Sequence, residues 1–289
     1  MSPRNTTYIA QVKNAVGLAS EVPTSTTILF VGDIMLGRNV ELLMDQRGDN
    51  YPFDKISDYL NSVDIVVANL EGPVLTKHTR TPSNSLSFNF HTRMPDVLAE
   101  HNIGIVSLAN NHTFDYGKSG YDQTVTYATR AGIDVVGHPF AFAEQYILRK
   151  TINNQKFLFI GFNITNPNFD FKKARAFTQT LKKEPGEFMI ALVHGGEEYK
   201  LKSGTRQQTF YRGLVDDGVE IVIAHHPHVT QEVEDYKGKK IFYSLGNFIF
   251  DQYFSKDVQQ GLMVKATFSD GKVQYEEVPI KSVRSQPQL

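Results

Sequence analysis

GVEIVIAHHPHV, residues 218–229, runs from a glycine through an apolar, β-branched stretch into three histidines within four positions. A short apolar run of this kind, bounded by glycine, reads as a buried strand. His225, His226 and His228 then stand at its carboxyl end, although the whole chain has only nine histidines. The same form recurs upstream. TTILFVGDIM (26–35), VDIVVANLEG (63–72), IGIVSLANNH (103–112) and FMIALVHGGE (188–197) are each apolar until they end in polar residues, usually beside glycine.

Helical spacing fills the intervals. NVELLMDQRG (39–48), MPDVLAEHN (94–102), GKSGYDQTVTYATRAG (117–132) and TRQQTFYRGLVDDG (205–218) read as helices, most of them with a glycine stop. Strands alternating with helices imply an α/β layered fold. QKFLFIGFNI (155–164), KKIFYSLGNFIF (239–250), GLMVKATF (261–268) and KVQYEEVPI (272–280) add strands that look antiparallel. Asp270-Gly271 reads as a tight hairpin turn. A mixed sheet, or two stacked sheets, is therefore expected. Thr165–Gly186 is polar and basic and reads as a surface excursion. Residues 1–25 read as a polar extension and 26–289 as one domain.

Composition removes several function classes. The chain of 289 residues is long enough for a sizeable core, and 30 basic side chains balance 31 acidic ones. That near-zero charge argues against a general electrostatic grip on nucleic acid or anionic lipid, and no nucleic acid partner is expected. There are no cysteines, so disulfides, thiolate metal sites and a cysteine nucleophile are excluded. No stretch has the roughly 18 apolar residues of a membrane helix. The first 26 residues lack the apolar segment of a signal peptide. That leaves either an unexported protein or one whose anchor lies outside this chain.

In open α/β sheets, ligands gather at the carboxyl ends of strands. Asp33, Glu71 with Asn69 beside it, Asn111 with His112, His194, and His226 with His228 all fall there. Carboxylate, amide and imidazole donors suit a divalent cation, and five strand ends can together hold two. Taken singly, each has a plainer reading: Asp33 as a turn residue, Asn111-His112 as a loop, His194 as a core histidine. The ordered set at successive strand ends is much more specific than any one of them.

GDIMLGR (32–38), ANLEGPV (68–74), LANNHTFDYG (108–117), VHGGEEY (193–199), HHPHV (225–229) and FYSLGNFIFDQ (242–252) together resemble the CapA family of bacterial capsule-synthesis proteins. That family is similar to the calcineurin-like metallophosphoesterases, and the likeness covers about Thr26 to Pro279. It implies a four-layer sandwich, with two mixed β-sheets flanked by helices, and a role in poly-γ-glutamate capsule synthesis or export. It implies two divalent ions (Mn, Zn, Fe or Mg) held by Asp33, Glu71, Asn111, His194, His226 and His228. His112, steadied by Asp115, would protonate the leaving group of a hydrolysed phosphoester or γ-glutamyl amide.

Arg38, Asn69, Glu197 and Asn247 are candidate substrate contacts, and Glu198 stands beside Glu197. A polyanionic polymer would also call on Lys200 and Lys202. Capsule-synthesis membrane proteins are implied partners, and an extracytoplasmic, membrane-associated location is implied with them. The first block of the metallophosphoesterases usually reads Asp-x-His, where this chain, in keeping with the CapA pattern, has Asp33-Ile34-Met35. A thioether ligates hard cations poorly, so one ligand is missing unless water or His225, the nearest spare imidazole, replaces it. The second departure is Glu71, in place of the usual bridging Asp. A non-catalytic binding or assembly role on a retained fold is the alternative.

Overall fold

The computed structural model describes residues 25–289. Residues 1–24 of the expected N-terminal extension lie outside that range. The first half of the chain lays down β1 (Thr26–Ile34), α1 (Arg38–Arg47), α2 (Ser57–Leu60), β2 (Ile65–Leu70), the short pair β3 (Val74–Leu75) and β4 (Phe90–His91), α3 (Met94–Glu100), β5 (Ile103–Ser107), α4 (Gly117–Arg130) and β6 (Asp134–Val136). The second half adds β7 (Leu148–Ile152), β8 (Gln155–Asn163), α5 (Phe171–Thr180), β9 (Phe188–His194), α6 (Thr205–Asp216), β10 (Ile221–His225), β11 (Val233–Tyr236), β12 (Lys239–Phe242), β13 (Asn247–Ile249), β14 (Gln260–Ser269), β15 (Lys272–Val283) and β16 (Gln286–Gln288).

Two large mixed sheets result. The first has the order β16-β15-β14-β1-β2-β5-β6, with β13 also paired to β1; the second has the order β11-β12-β10-β9-β8-β7. In the first, β1, β2, β5 and β6 run parallel and β14 joins β1 antiparallel. In the second, β8, β9, β10 and β12 run parallel, with antiparallel β7 and β11 at the edges.

Alternation along each strand sorts side chains between layers. Ile28 and Phe30 of β1 pack with Phe159, Ile190 and Ile223 between the two sheets. Leu29 and Val31 point the other way, into a core shared with Val40, Leu98 and Ala128 of the helices. On the far side of the second sheet, Leu158, Ala191 and Val222 pack against Ala174 of α5 and Phe210 and Leu214 of α6. The central strands β1, β2, β9 and β10 are buried on both faces, which is why they read as unbroken apolar runs. The expected four-layer mixed α/β sandwich is therefore present.

Three local expectations change. Thr165–Gly186 is not all surface loop, because it contains α5, whose N-cap Asp170 accepts the Lys173 N–H at 3.0 Å. Only Ala174 and Thr178 of that helix are buried, so its polar, basic face dominates the composition. KKIFYSLGNFIF is not one strand. Lys239–Phe242 joins the second sheet, while Asn247–Ile249 crosses to the first and pairs with β1. The change of sheet happens at Ser244–Gly246, where Gly246 has a φ of 68°. QKFLFIGFNI is antiparallel only to β7 and parallel to β9. Asp270 and Gly271 do form the tight turn, both with positive φ.

Candidate metal centre

Strand register assembles the site. Asp33 is opposite Asn69 across β1 and β2, and opposite Asn247 across β1 and β13. His194 is opposite His225 across β9 and β10. The carboxyl ends of both sheets thus meet on one side of the sandwich. A close approach permits this: a Cβ on Gly32 would stand 2.1 Å from the Gly246 carbonyl oxygen. The Asp33 N–H donates to that same oxygen at 3.0 Å.

Asp33, Glu71 and His194 bring donor atoms within 4.8 Å of one another, as do Glu198, His226 and His228. The two groups touch. His228 Nδ1 is 3.4 Å from Asp33 Oδ2, and His228 Nε2 is 3.7 Å from Glu71 Oε1. Asn111 Oδ1 lies 2.7 Å from His194 Nε2. All six residues expected to hold metal are therefore brought together. His226 and His228 have φ values of 100° and 57°, a left-handed backbone that non-glycine residues rarely adopt outside functional sites.

The donor set suits a divalent ion. Glu71 Oε1 and His226 Nδ1 are buried and have no hydrogen-bond partner among the described residues. Buried polar atoms without partners are costly, and a cation would satisfy both. Burial raises the Glu71 carboxyl well above its ordinary range, and the Asp33 charge adds to it. Burial also acts to raise Asp33, but the His228 hydrogen bond and the neighbouring rings of His225 and His194 outweigh it and hold that carboxyl well below its usual value. Burial takes His226 down to about 3, helped by His228, and burial and the His226 ring hold His194 well below its ordinary value. Burial opposes a charged His228, yet Glu71 and Asp33 overcome it and lift that ring to about 9.

His112 and Asp115 are arranged as expected. His112 Nδ1 donates to Asp115 Oδ2 at 2.9 Å, and Asp115 is itself held by the Phe88 N–H at 2.6 Å. That leaves His112 Nε2 on the Glu71 side, 3.9 Å from Oε1. His112 and His228 line a cleft of ≈ 490 Å³ with Arg38, Glu198 and Tyr199.

The substrate-contact expectations fare differently. Asn69 and Asn247 are buried and cannot reach a substrate. Asn69 Nδ2 donates to Asp33 Oδ1 at 2.7 Å, and Asn247 Oδ1 accepts from His228 Nδ1 at 3.0 Å. Both orient ligand candidates from behind, and Asn247 leaves His228 Nε2 free. Glu197 points into a different cavity from the cleft, beside Lys200; its neighbour Glu198 is the one that joins the histidines. Arg38 lines the cleft, but its Nε and Nη2 engage Asp251 and its Nη1 donates to the Ser85 carbonyl at 3.0 Å. A bidentate clamp on substrate would require that pair to open.

Met35 and His225 resolve the first-block question. Met35 is fully buried in the helix-side core, where its sulfur accepts the Gly37 N–H at 3.1 Å. His225 Nε2 donates to the Val31 carbonyl at 3.1 Å and ties β10 to β1. Its imidazole is committed there and does not stand in for the missing ligand.

Residues 27–252 match the family described as bacterial capsule synthesis protein PGA_cap. The chain belongs to this family. It is 30% identical over 282 residues to the capsule biosynthesis protein CapA of Bacillus anthracis, covering 90% of this chain and 68% of that protein. It is 30% identical over 266 residues to the PGA biosynthesis protein CapA of Bacillus subtilis, covering 87% of this chain and 70% of that protein. The purple acid phosphatase PPD1 of yellow lupin seeds superposes on 92% of the chain and 52% of its own, with a TM-score of 0.42 and 10% identity.

In this PGA_cap member, sequence reasoning missed two residues that organise the site. Asn110, fully buried, accepts the His112 and Thr113 N–H groups at Oδ1 and donates to Asn69 Oδ1 and the Leu70 carbonyl. The signal was the Asn-Asn pair, since an Asn that caps its own turn frees the next one for other work. Asp251 holds Arg38 and accepts the Asn39 N–H at 3.2 Å. It lies at the end of the quoted FYSLGNFIFDQ block, but its partner stands 213 positions away. Among the described residues, no helix is long and apolar enough to cross a membrane.

Proposed function

We propose that this chain serves poly-γ-glutamate capsule synthesis or export as a divalent-metal-dependent hydrolase, acting on a phosphoester or a γ-glutamyl amide. The observation that carries the reading is the unpartnered pair of buried donor atoms, Glu71 Oε1 and His226 Nδ1, within a shell drawn from both sheets. Asp33, Glu71, Asn111, His194, His226 and His228 would hold one or two ions, with Glu198 as a further carboxylate. A bound divalent ion would polarise the substrate oxygen and lower the pKa of water.

The side chains divide the remaining work. Asp115 accepts the Nδ1–H of His112 and orients the ring, with Nε2 turned to the cleft, where the doubly protonated imidazolium would give its Nε2 proton to the departing oxygen or nitrogen. Asn69 and Asn247 keep Asp33 and His228 in place. Leu86, Tyr199 and Phe254, all exposed, edge the cleft and would pack against the methylene groups of a γ-linked polymer chain. Capsule-synthesis membrane proteins are the proposed partners, on the outer side of the membrane.

A second reading, a non-catalytic component of the polymer machine, is favoured by the withdrawal of Met35 into the core. One experiment separates the two. Purified protein is analysed for metal, then assayed with added Mn²⁺ on a generic phosphodiester and on poly-γ-glutamate. Bound metal and turnover that fall together in His228→Ala support the hydrolase. Absence of metal and of turnover supports the non-catalytic reading.

A further inference from the structure

A second cavity, of ≈ 380 Å³, reaches the metal centre at His226 and shares no lining residue with the cleft of His112. Its walls include Glu197, Lys200, Lys202, Arg206, Gln207 and His226. His226 is the shared wall: it is 8% exposed, its Nδ1 has no partner, and it also belongs to the Glu198–His226–His228 group. Whatever occupies this cavity therefore lies against the metal centre.

The cavity is built for negative charge. Lys202 and Arg206 form no ion pair with a carboxylate among the described residues, and Arg206 instead lies over the Phe171 ring at 4.7 Å. Lys200 meets only Glu197, at 3.4 Å, and both are well exposed. The nearby Glu232 carboxylate is taken up by the N–H and hydroxyl of Ser203.

The twelve-residue α6 also begins here. Its N-cap is Gly204, which has no side-chain oxygen to satisfy the first-turn N–H groups. Gln207 pins this helix end. Its Oε1 accepts the Gly204 N–H at 2.9 Å, and its Nε2 donates to the Gly195 carbonyl at 3.3 Å and to Gln231 Oε1 at 3.1 Å. An uncapped helix start beside three cationic side chains favours an anion.

We propose that this cavity is an anion subsite that receives a free α-carboxylate of a γ-linked polyanionic substrate, on a unit adjacent to the one held at the metal centre. The assignment of the occupant as a carboxylate rests on the poly-γ-glutamate reading above. The subsite makes length and charge the basis of selection. A chain of acidic units is gripped at two points, while a single unit is gripped at one.

The test uses the full chain and a fluorescently labelled γ-linked glutamate oligomer of about ten units, long enough to reach both points. Binding is read by anisotropy with metal present and after chelator treatment. Lys202→Gln combined with Arg206→Gln is expected to weaken binding at least about tenfold and flatten its salt dependence. Metal content and thermal midpoint are expected to stay unchanged. Lys202→Arg with Arg206→Lys retains the charge and is expected to keep affinity within about threefold.

A loss below about twofold in the neutralised variant, or no saturable binding by the wild type, overturns the subsite. Tighter binding of short-chain polyphosphate, lost in the same variant, overturns the carboxylate assignment. Binding that follows this pattern without any turnover overturns the hydrolase reading and leaves the subsite standing.

Discussion

Met35 shows how one side chain changes what the site can hold. Its sulfur accepts the Gly37 N–H inside an apolar core, so the position that holds histidine in the Asp-x-His pattern is turned away from the ligand candidates. Restoring the histidine would not restore the ligand. Met35→His buries an imidazole among apolar neighbours and is expected to lose about 1–3 kcal/mol, read by urea denaturation, with no gain in bound metal. A rise in metal content would show that the ring can swing into the site. The ionisable ligand candidates set the expected pH response. Glu71 is held protonated above the ordinary carboxylate range and His228 up to about 9. Each must release its proton to ligate, so protons compete with metal and affinity should rise with pH. Chelator competition between about pH 6 and pH 9 is expected to show that climb, and a flat profile would contradict it. The ligand candidates themselves were legible as a series of strand-end donors. The buried roles of Asn69 and Asn247 were not, because a polar residue next to a ligand reads the same whether it faces substrate or supports the ligand from behind.

The strands were legible as elements because burial on both faces leaves an unbroken apolar run, which few loops imitate. Helix α5 was not, because only Ala174 and Thr178 face the core and its outer surface is basic. The division of KKIFYSLGNFIF between two sheets also escaped notice, since both halves are equally apolar and only register separates them. That crossing depends on Gly32. With a Cβ 2.1 Å from the backbone oxygen of Gly246, no rotamer change can relieve the overlap. Gly32→Ala is expected to lose about 3 kcal/mol or more and to reduce metal content, because the same contact places Asp33. Denaturation with parallel metal analysis checks both. An alanine variant of wild-type stability would mean that β13 is free to move away from β1.

At the scale of the whole molecule, the two sheets hold each other through an aromatic seam. Phe268 of β14 packs edge-on against Phe157 of β8 and Phe188 of β9, with ring centroids 4.8 Å away in each case. Phe268→Ala is expected to cost about 3–5 kcal/mol, measured by denaturant unfolding, and a loss below about 1 kcal/mol would mean the seam closes around the gap. The amino-acid sequence by itself determined the layered α/β class, the strands that would carry ligands and the chemistry of those ligands. Periodicity and side-chain type are local properties, and they survive in a linear string. Only the tertiary structure decided which donors face one another, that Met35 and His225 are turned to other work, that Asp251 claims Arg38, and that Lys202 and Arg206 share a cavity with His226. Those facts depend on register and on the packing of one sheet against the other, which join residues more than two hundred positions apart and leave no trace in local spacing.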